Sequence, residues 1–317
     1  MGIAFLLSDI LTRARVASPV HARAALGGIR CSFDFQQPIA LLPVDRQDLM
    51  TPGETKSLVF HHEQDVALLD FANVNSAGYF GMLLHVSPGN VVSWLPLLQL
   101  VEVGRVESPA ADAPAVVVKK AEVRCVGRVQ LRSSNGMCFP DITARGFDTA
   151  FVEAYADESL SNDEIHLARR QIERIEELHG LCLDLENRLS ELARELAAPS
   201  LAADASAPRP PARIEEGSLQ ERTSRLREVM LQRGLDEAPR SSLAELHVLW
   251  NVADEAQAEL HLASFATCGW FGPVTRLKAS QGQSTASRLE MALEELTRWR
   301  QLTLERLETF NSDEGAL

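Results

Sequence analysis

The sequence lacks most of the signatures that declare a function, and each absence excludes a class. No G-x-x-x-x-G-K-[ST] occurs anywhere. The nearest approach is Lys56-Ser57 in "TPGETKSLVF" (51–60), where Thr55 and Met50 stand in place of the glycines. A phosphate loop needs those glycines so that main-chain N–H groups can crowd round the anion, which argues against a nucleotide hydrolase. No apolar run approaches the roughly 20 residues that span a bilayer. Positive charge is short, with 31 Lys and Arg against 44 Asp and Glu and a net charge of −13. That balance argues against nucleic acid as the main partner and against attraction to anionic membranes. The five cysteines (Cys31, Cys125, Cys138, Cys182, Cys268) are scattered and odd in number, and none forms a C-x-x-C. They read as free thiols in a reducing compartment, not as a disulfide framework or a zinc site. No serine sits in a G-x-S-x-G context.

What is present fits a two-part chain. At 317 residues and 45% hydrophobic content there is room for about two domains and material for a core. Residues 1–35 form a leader whose first 30 residues carry Arg13, Arg15, Arg23 and Arg30 against the single acid Asp9. They read either as an organelle transit peptide or as a disordered leader. Residues 36–156 read as a β domain. Runs rich in Val and Leu, "PIALLPV", "SLVF", "YFGMLLHV" (79–86), "LPLLQLVEVGRV" (95–106), "AVVVKKAEVRCVGRVQL" (115–131) and "DTAFVEAYA" (148–156), are separated by turn residues. Pro52-Gly53 is turn chemistry. "HEQDVALLDFANV" reads as one short helix inside this region. In the last long run the alternation slips phase at Gly127, which predicts a bulge or tight bend as at a barrel corner.

Residues 157–317 read as helical, interrupted by a Pro/Ala-rich linker over 197–217. "SNDE" (161–164) and Ser242 to Glu245 have capping-box spacing. Ile175, Leu178, Cys182, Leu185, Leu189, Leu192 and Leu196 form a seam that serves either packing within the chain or association through helix 161–196. Gly180 interrupts it at a cost in helix stability. Helices are also expected over 218–235, 241–266 and 284–310, the last with Leu289, Leu293, Leu296, Leu304 and Leu307 on one side. The fold class is therefore α+β, a β-barrel or folded sheet followed by an all-helical domain.

No catalytic, cofactor-binding or metal-binding residues are assigned. His61 and His62, adjacent at a strand end, would point to opposite faces and cannot easily grip one ion. His247 and His261, fourteen apart, would lie about 21 Å apart on one straight helix. Cys125 reads as a buried small hydrophobe and Cys138 as the more exposed thiol. The candidates for protein contact are the aromatics Phe80, Trp94, Trp270 and Phe271, the last two in the loop "CGWFGP" (268–273).

The order of these motifs resembles the N-terminal substrate-binding domain of the Lon protease family. Leu42-Pro43, Pro52-Gly53, Phe80-Gly81 and Gly127-Arg128 fall where that family shows Leu-Pro, Pro-Gly, a "FG" opening a middle strand and a late glycine. "ASFA" (263–266) followed by "SRLEMALEELTRW" (287–299) is similar to the helical tail of stand-alone proteins carrying this domain, including those of plastids. The chain departs from the family at Val44-Asp45-Arg46-Gln47 and at Arg128-Val129-Gln130. The resemblance implies a PUA-like β domain with a helical extension and no ATPase or peptidase module. It further implies protein partners or clients, no proteolysis and no cofactor.

Overall fold

The computed structural model describes residues 37–87, 90–106, 118–132, 140–197, 217–232 and 239–314. The leader 1–35, most of the linker, Cys31 and Cys138 lie outside these residues.

Among the described residues nine strands make one mixed sheet: β1 (Ile39–Val44), β2 (Thr55–Phe60), β3 (Tyr79–Ser87), β4 (Asn90–Val91), β5 (Trp94–Val106), β6 (Val118–Leu131), β7 (Asp141–Ile142), β8 (Asp148–Ala150) and β9 (Val152–Ala154). The helices are α1 (Glu63–Asn75), α2 (Asn162–Ala197), α3 (Leu219–Leu231), α4 (His247–Trp250), α5 (Glu255–Cys268), α6 (Pro273–Gln281) and α7 (Thr285–Glu314). The α+β class read from the sequence is what the structure has.

The ladder runs β6-β5-β3-β1, with β1 and β3 parallel and the other pairs antiparallel. "DTAFVEAYA" is not one strand. It bends at the exposed Phe151, so that β8 pairs with β1 and β9 with β6. One bent segment thus joins both ends of the ladder and curls the sheet on itself. Strand β2 stands outside this ring, paired with β6 alone.

Gly127 sits where the phase slips. Leu97 pairs with Gly127 and Leu98 with Cys125, so Val126 is the extra residue of a bulge. A Cβ at Gly127 would lie 3.2 Å from Leu249 Cδ1, and the Trp250 indole N–H donates to Val126 O at 3.0 Å. The bulge is therefore where helix α4 docks on the sheet.

The two faces of β6 show why alternation was only half visible. Val123, Cys125 and Val129 are buried, and Ala121 and Cys125 join the core built around α1 with Phe60, Leu68, Phe80 and Leu98. Arg124, Val126 and Arg128 are buried too, on a side where the arginines bond the helical region. A second core packs α2 against α7 through Ile175, Leu178, Cys182, Leu289, Ala292 and Leu296. The Cys182 thiol donates to Leu296 O at 3.5 Å, and the Trp299 indole N–H to Glu186 at 2.8 Å. So the first half of the leucine seam packs within its own chain.

Of the two capping boxes expected, the first forms: Ser161 N–H donates to Glu164 Oε2 at 2.7 Å and Glu164 N–H returns to Ser161 Oγ at 3.4 Å. The second does not. Ser242 accepts from Ala244 N–H, Glu245 turns back to Ser241, and 243–246 is a 3-10 turn. The expected helix 241–266 breaks at Asn251, which adopts φ +52°. A left-handed asparagine ends α4 once Trp250 has reached Val126. The asparagine's own amide donates to Asp157 O at 3.0 Å. Asp254 then caps α5 afresh.

Gly180 is exposed in mid-helix, with nothing within 4 Å of where a Cβ would stand. Gly180→Ala should stabilise the protein by about 0.5–1 kcal/mol, read as a raised urea midpoint at unchanged slope.

Candidate functional site: a cationic cleft beside the Pro-Gly turn

The site begins with a turn. Thr51-Pro52-Gly53-Glu54 is closed by Glu54 N–H donating to Thr51 O at 3.0 Å, with Gly53 at φ +92°. Proline presets the second position, and only glycine takes the third without strain. A Cβ at Gly53 would meet Leu226 Cβ at 3.0 Å, so α3 packs directly on the turn. The Glu54 carboxylate accepts from Thr51 N–H at 2.7 Å and from Arg276 of α6, whose guanidinium also donates to Leu49 O at 2.8 Å.

Turn, α3 and α6 enclose an open cleft of about 470 Å³. Four cations line it, Lys56, Arg222, Arg225 and Arg276, against two acids, Asp48 and Glu54. Asp48 accepts from Lys56, and Glu54 is engaged by Arg276. The other two cations, Arg222 and Arg225, are three apart on α3. Arg222 is half-buried and lies over Gly269, where a Cβ would come within 1.9 Å of its guanidinium. Its pKa is lowered, first by burial and then by Arg276 and Arg225, with Glu54 opposing.

Two buried arginines fix α3. Arg124 donates to Gln99 Oε1 at 2.8 Å and to Val229 O, and Arg240 to Met230 O and Gln232 O, each at 2.8 Å. Cations placed on the last carbonyls suit the negative end of a helix. Burial, with Arg240 nearby, brings Arg124 down to about 10, so it remains charged at neutral pH.

Deeper in, Asp157 joins sheet and helices. Its two oxygens take Arg128 of β6 and Arg288 of α7, and Oδ2 also accepts from His261 Nε2 at 2.7 Å. Arg128 donates further to Ser280 O and Gly282 O at 2.6 Å. Arg288 donates to Ser264 Oγ at 2.9 Å and lies 4.0 Å above the Phe265 ring. Burial brings both arginines down to about 9. His261 is buried at this junction. Burial first, then Arg288 and Arg128, hold its pKa well below 6.5. As a neutral ring it donates from Nε2 to Asp157 and accepts at Nδ1 from the Thr285 hydroxyl, 2.8 Å away.

The sequence matches no family model and no curated protein. Among solved structures the chain is similar to a Lon N-terminal domain protein from Xanthomonas campestris, at 17% identity over 44% of this chain and 72% of that one, with a TM-score of 0.29. It is also similar to the N-terminal domain of a Mycobacterium avium complex Lon protease, at 17% identity over 61% of this chain and 96% of that one, with a TM-score of 0.35.

The aromatics singled out from the sequence do not converge on this cleft. Phe80 is buried in the sheet core, and Trp94 is buried as well. Trp270 is buried at 8% exposure, its ring stacked on His179 with centroids 4.0 Å apart. Phe271 packs half-buried against the helical core. Large aromatic surface makes core packing its usual fate. The "CGWFGP" loop does adjoin the cleft, through Gly269, which makes room for Arg222. Arg222, Arg225 and Arg276 carried no sequence signal, because they meet only in the fold. His61 and His62 are exposed at the junction of β2 and α1. Among the described residues no cluster could hold a metal ion. Burial pushes the Cys182 and Cys268 thiols up to about 11, and Cys125 higher still, so all three stay protonated at neutral pH.

Asp157→Asn strips the counterion from two buried guanidinium groups and should cost about 3–5 kcal/mol in urea unfolding. The unfolded chain binds a proton at His261 near pH 6.5 and the folded one does not. Stability should thus be full above pH 6.5 and decline as pH falls toward 5. His179, lowered mainly by burial, acts in the same sense. His261→Gln, which keeps one donor and one acceptor, should flatten the decline without abolishing it.

Proposed function

We propose that this chain is a non-catalytic protein-binding module of the Lon N-terminal type, holding extended segments of other proteins. The observation that carries the reading is strand β2. It pairs with β6 on one side, and its other edge makes no main-chain hydrogen bond among the described residues. Cys125 N–H donates to Glu54 O, so the antiparallel alternation turns the main chain of residues 56, 58 and 60 toward β6 and that of 55, 57 and 59 outward. Such an edge accepts an added strand through backbone bonds that tolerate many sequences. The motif order resembling the Lon substrate-binding domain supports the same reading. In an organelle, with the plastid favoured by the resemblance to stand-alone plastid proteins and the mitochondrion as the alternative, the module would serve quality control, as an adaptor or in assembly.

A structural subunit is the second reading. It rests on Leu181 of α2 and Leu302 of α7, both 47% exposed on helices otherwise packed together. Light scattering on the full chain decides it, a stable oligomer favouring this alternative.

The first reading is tested by hydrogen exchange on the full chain, with and without a reduced, carboxymethylated small protein that stays unfolded. Slower exchange over residues 53–60 is expected. Binding that leaves this stretch unprotected would remove β2 as the binding edge.

A further inference from the structure

The geometry points to a proton-operated latch at the Asp157 junction: His261, on taking up a second ring proton, opens the contact between β6 and the helices around it while both hydrophobic cores stay folded. The latch is independent of the protein-binding reading and acts in a different part of the fold.

Hydrogen-bond directions set the neutral ring. Thr285 Oγ1 accepts from Arg288 at 3.2 Å and lies 2.8 Å from His261 Nδ1. Arginine has no acceptor, so the hydroxyl keeps its one proton for Nδ1. The ring's own N–H is then at Nε2, 2.7 Å from Asp157 Oδ2. A proton added at Nδ1 would meet the hydroxyl proton head-on. The charges facing the ring oppose it too: Arg128 from β6 and Arg288 from α7, with Asp157 between them. Asp157 alone would favour an imidazolium, but its charge is already shared by the two guanidinium groups. From α4 the neighbours are uncharged, Trp250 with ring centroids 5.8 Å apart and Asn251 on the Asp157 carbonyl. On α5 itself the Phe265 ring stands edge-on at 6.0 Å. An imidazolium would be a third buried cation on one carboxylate.

What crosses the junction explains why it opens on its own. The core around α1 is built from residues before α2, the core between α2 and α7 from residues of the helical region, and neither bridges the two. Polar bonds do: Arg128 to Ser280 O and Gly282 O, the Trp250 indole to Val126 O, the Tyr155 hydroxyl to Gln281 O and Glu158 N–H to Gln283 O. These can part with both cores intact. Opening bares Val126, Leu249, Trp250 and Phe265, all buried in the closed form. Acid thus presents an apolar surface that neutral pH hides.

Hydrogen exchange on the full chain, read by NMR over a pH series with low urea, tests the latch. The markers are Glu158 N–H and the Trp250 indole N–H, whose bonds cross the junction. Below pH 6.5 their protection should fall about tenfold per pH unit, as one proton taken up on opening requires. It should also depend on urea less than that of the Val123 and Val129 amides, which exchange when the sheet itself unfolds. His261→Gln, which keeps one donor and one acceptor, should remove the pH slope at both markers. Where that variant does not fold, the wild-type ring decides: in the closed form it should remain the neutral Nε2–H tautomer throughout the series. A His261 ring that titrates near pH 6.5 with the junction closed overturns the latch. So does a slope that survives His261→Gln. Equal loss of protection, with equal urea dependence, at the markers and at Val123 and Val129 also overturns it, because acid then unfolds the chain as one unit.

Discussion

One carboxylate sets the terms for the rest of the structure. Asp157 is buried and binds Arg128 from the sheet and Arg288 from the last helix. Two cations on one anion leave an uncompensated charge in the interior, so every remaining donor has to find an acceptor. The acceptors are main-chain oxygens of the α6–α7 connection, Ser280 O and Gly282 O, and the Ser264 hydroxyl. Aromatic faces of Phe265 and Tyr155 cover the guanidinium planes. The sheet and the α5–α7 layer are thereby held in one register by directional bonds, where apolar packing alone would tolerate sliding.

That rigidity is what gives the cleft its shape. Arg124 and Arg240 hold the end of α3, Arg227 ties its middle to Glu255 and Glu259 of α5, and Arg276 ties α6 to the Pro-Gly turn. Four arginines thus fasten this seam in a chain short of positive charge. These fasteners end on carbonyls or carboxylates, while Arg225 lies exposed on the cleft wall.

Periodicity carried the architecture well. Strand runs, the helix at Glu63–Asn75, the Ser161 cap and the bulge at Gly127 follow from local rules about alternation, caps and glycine. The readings that failed did so where tertiary demand overrode the local pattern. Trp250 had to reach Val126, so a continuous helical pattern broke at Asn251. "DTAFVEAYA" had to serve two partner strands, so it bent at Phe151. The site was far less legible. Arg128 adjoins the bulge glycine read from the sequence, but its partners lie 29 and more than 150 residues away in sequence. No spacing rule links Lys56, Arg222 and Arg276. Of the aromatics named from the sequence, Phe80, Trp94 and Trp270 are buried.

The side of β6 that faces the helices has a consequence for how the chain is made. Residues up to Ala154 emerge from the ribosome first and can close the ring of strands. At that stage Arg124 and Arg128 have none of their helical acceptors, and Gly127 leaves a bare notch that α4 later fills. The ring must wait, with charged side chains still hydrated, until residues as distant as Arg288 have been synthesised. Contacts of that sequence separation make folding slow and late. Those arginines give the sheet a polar side that the finished protein buries.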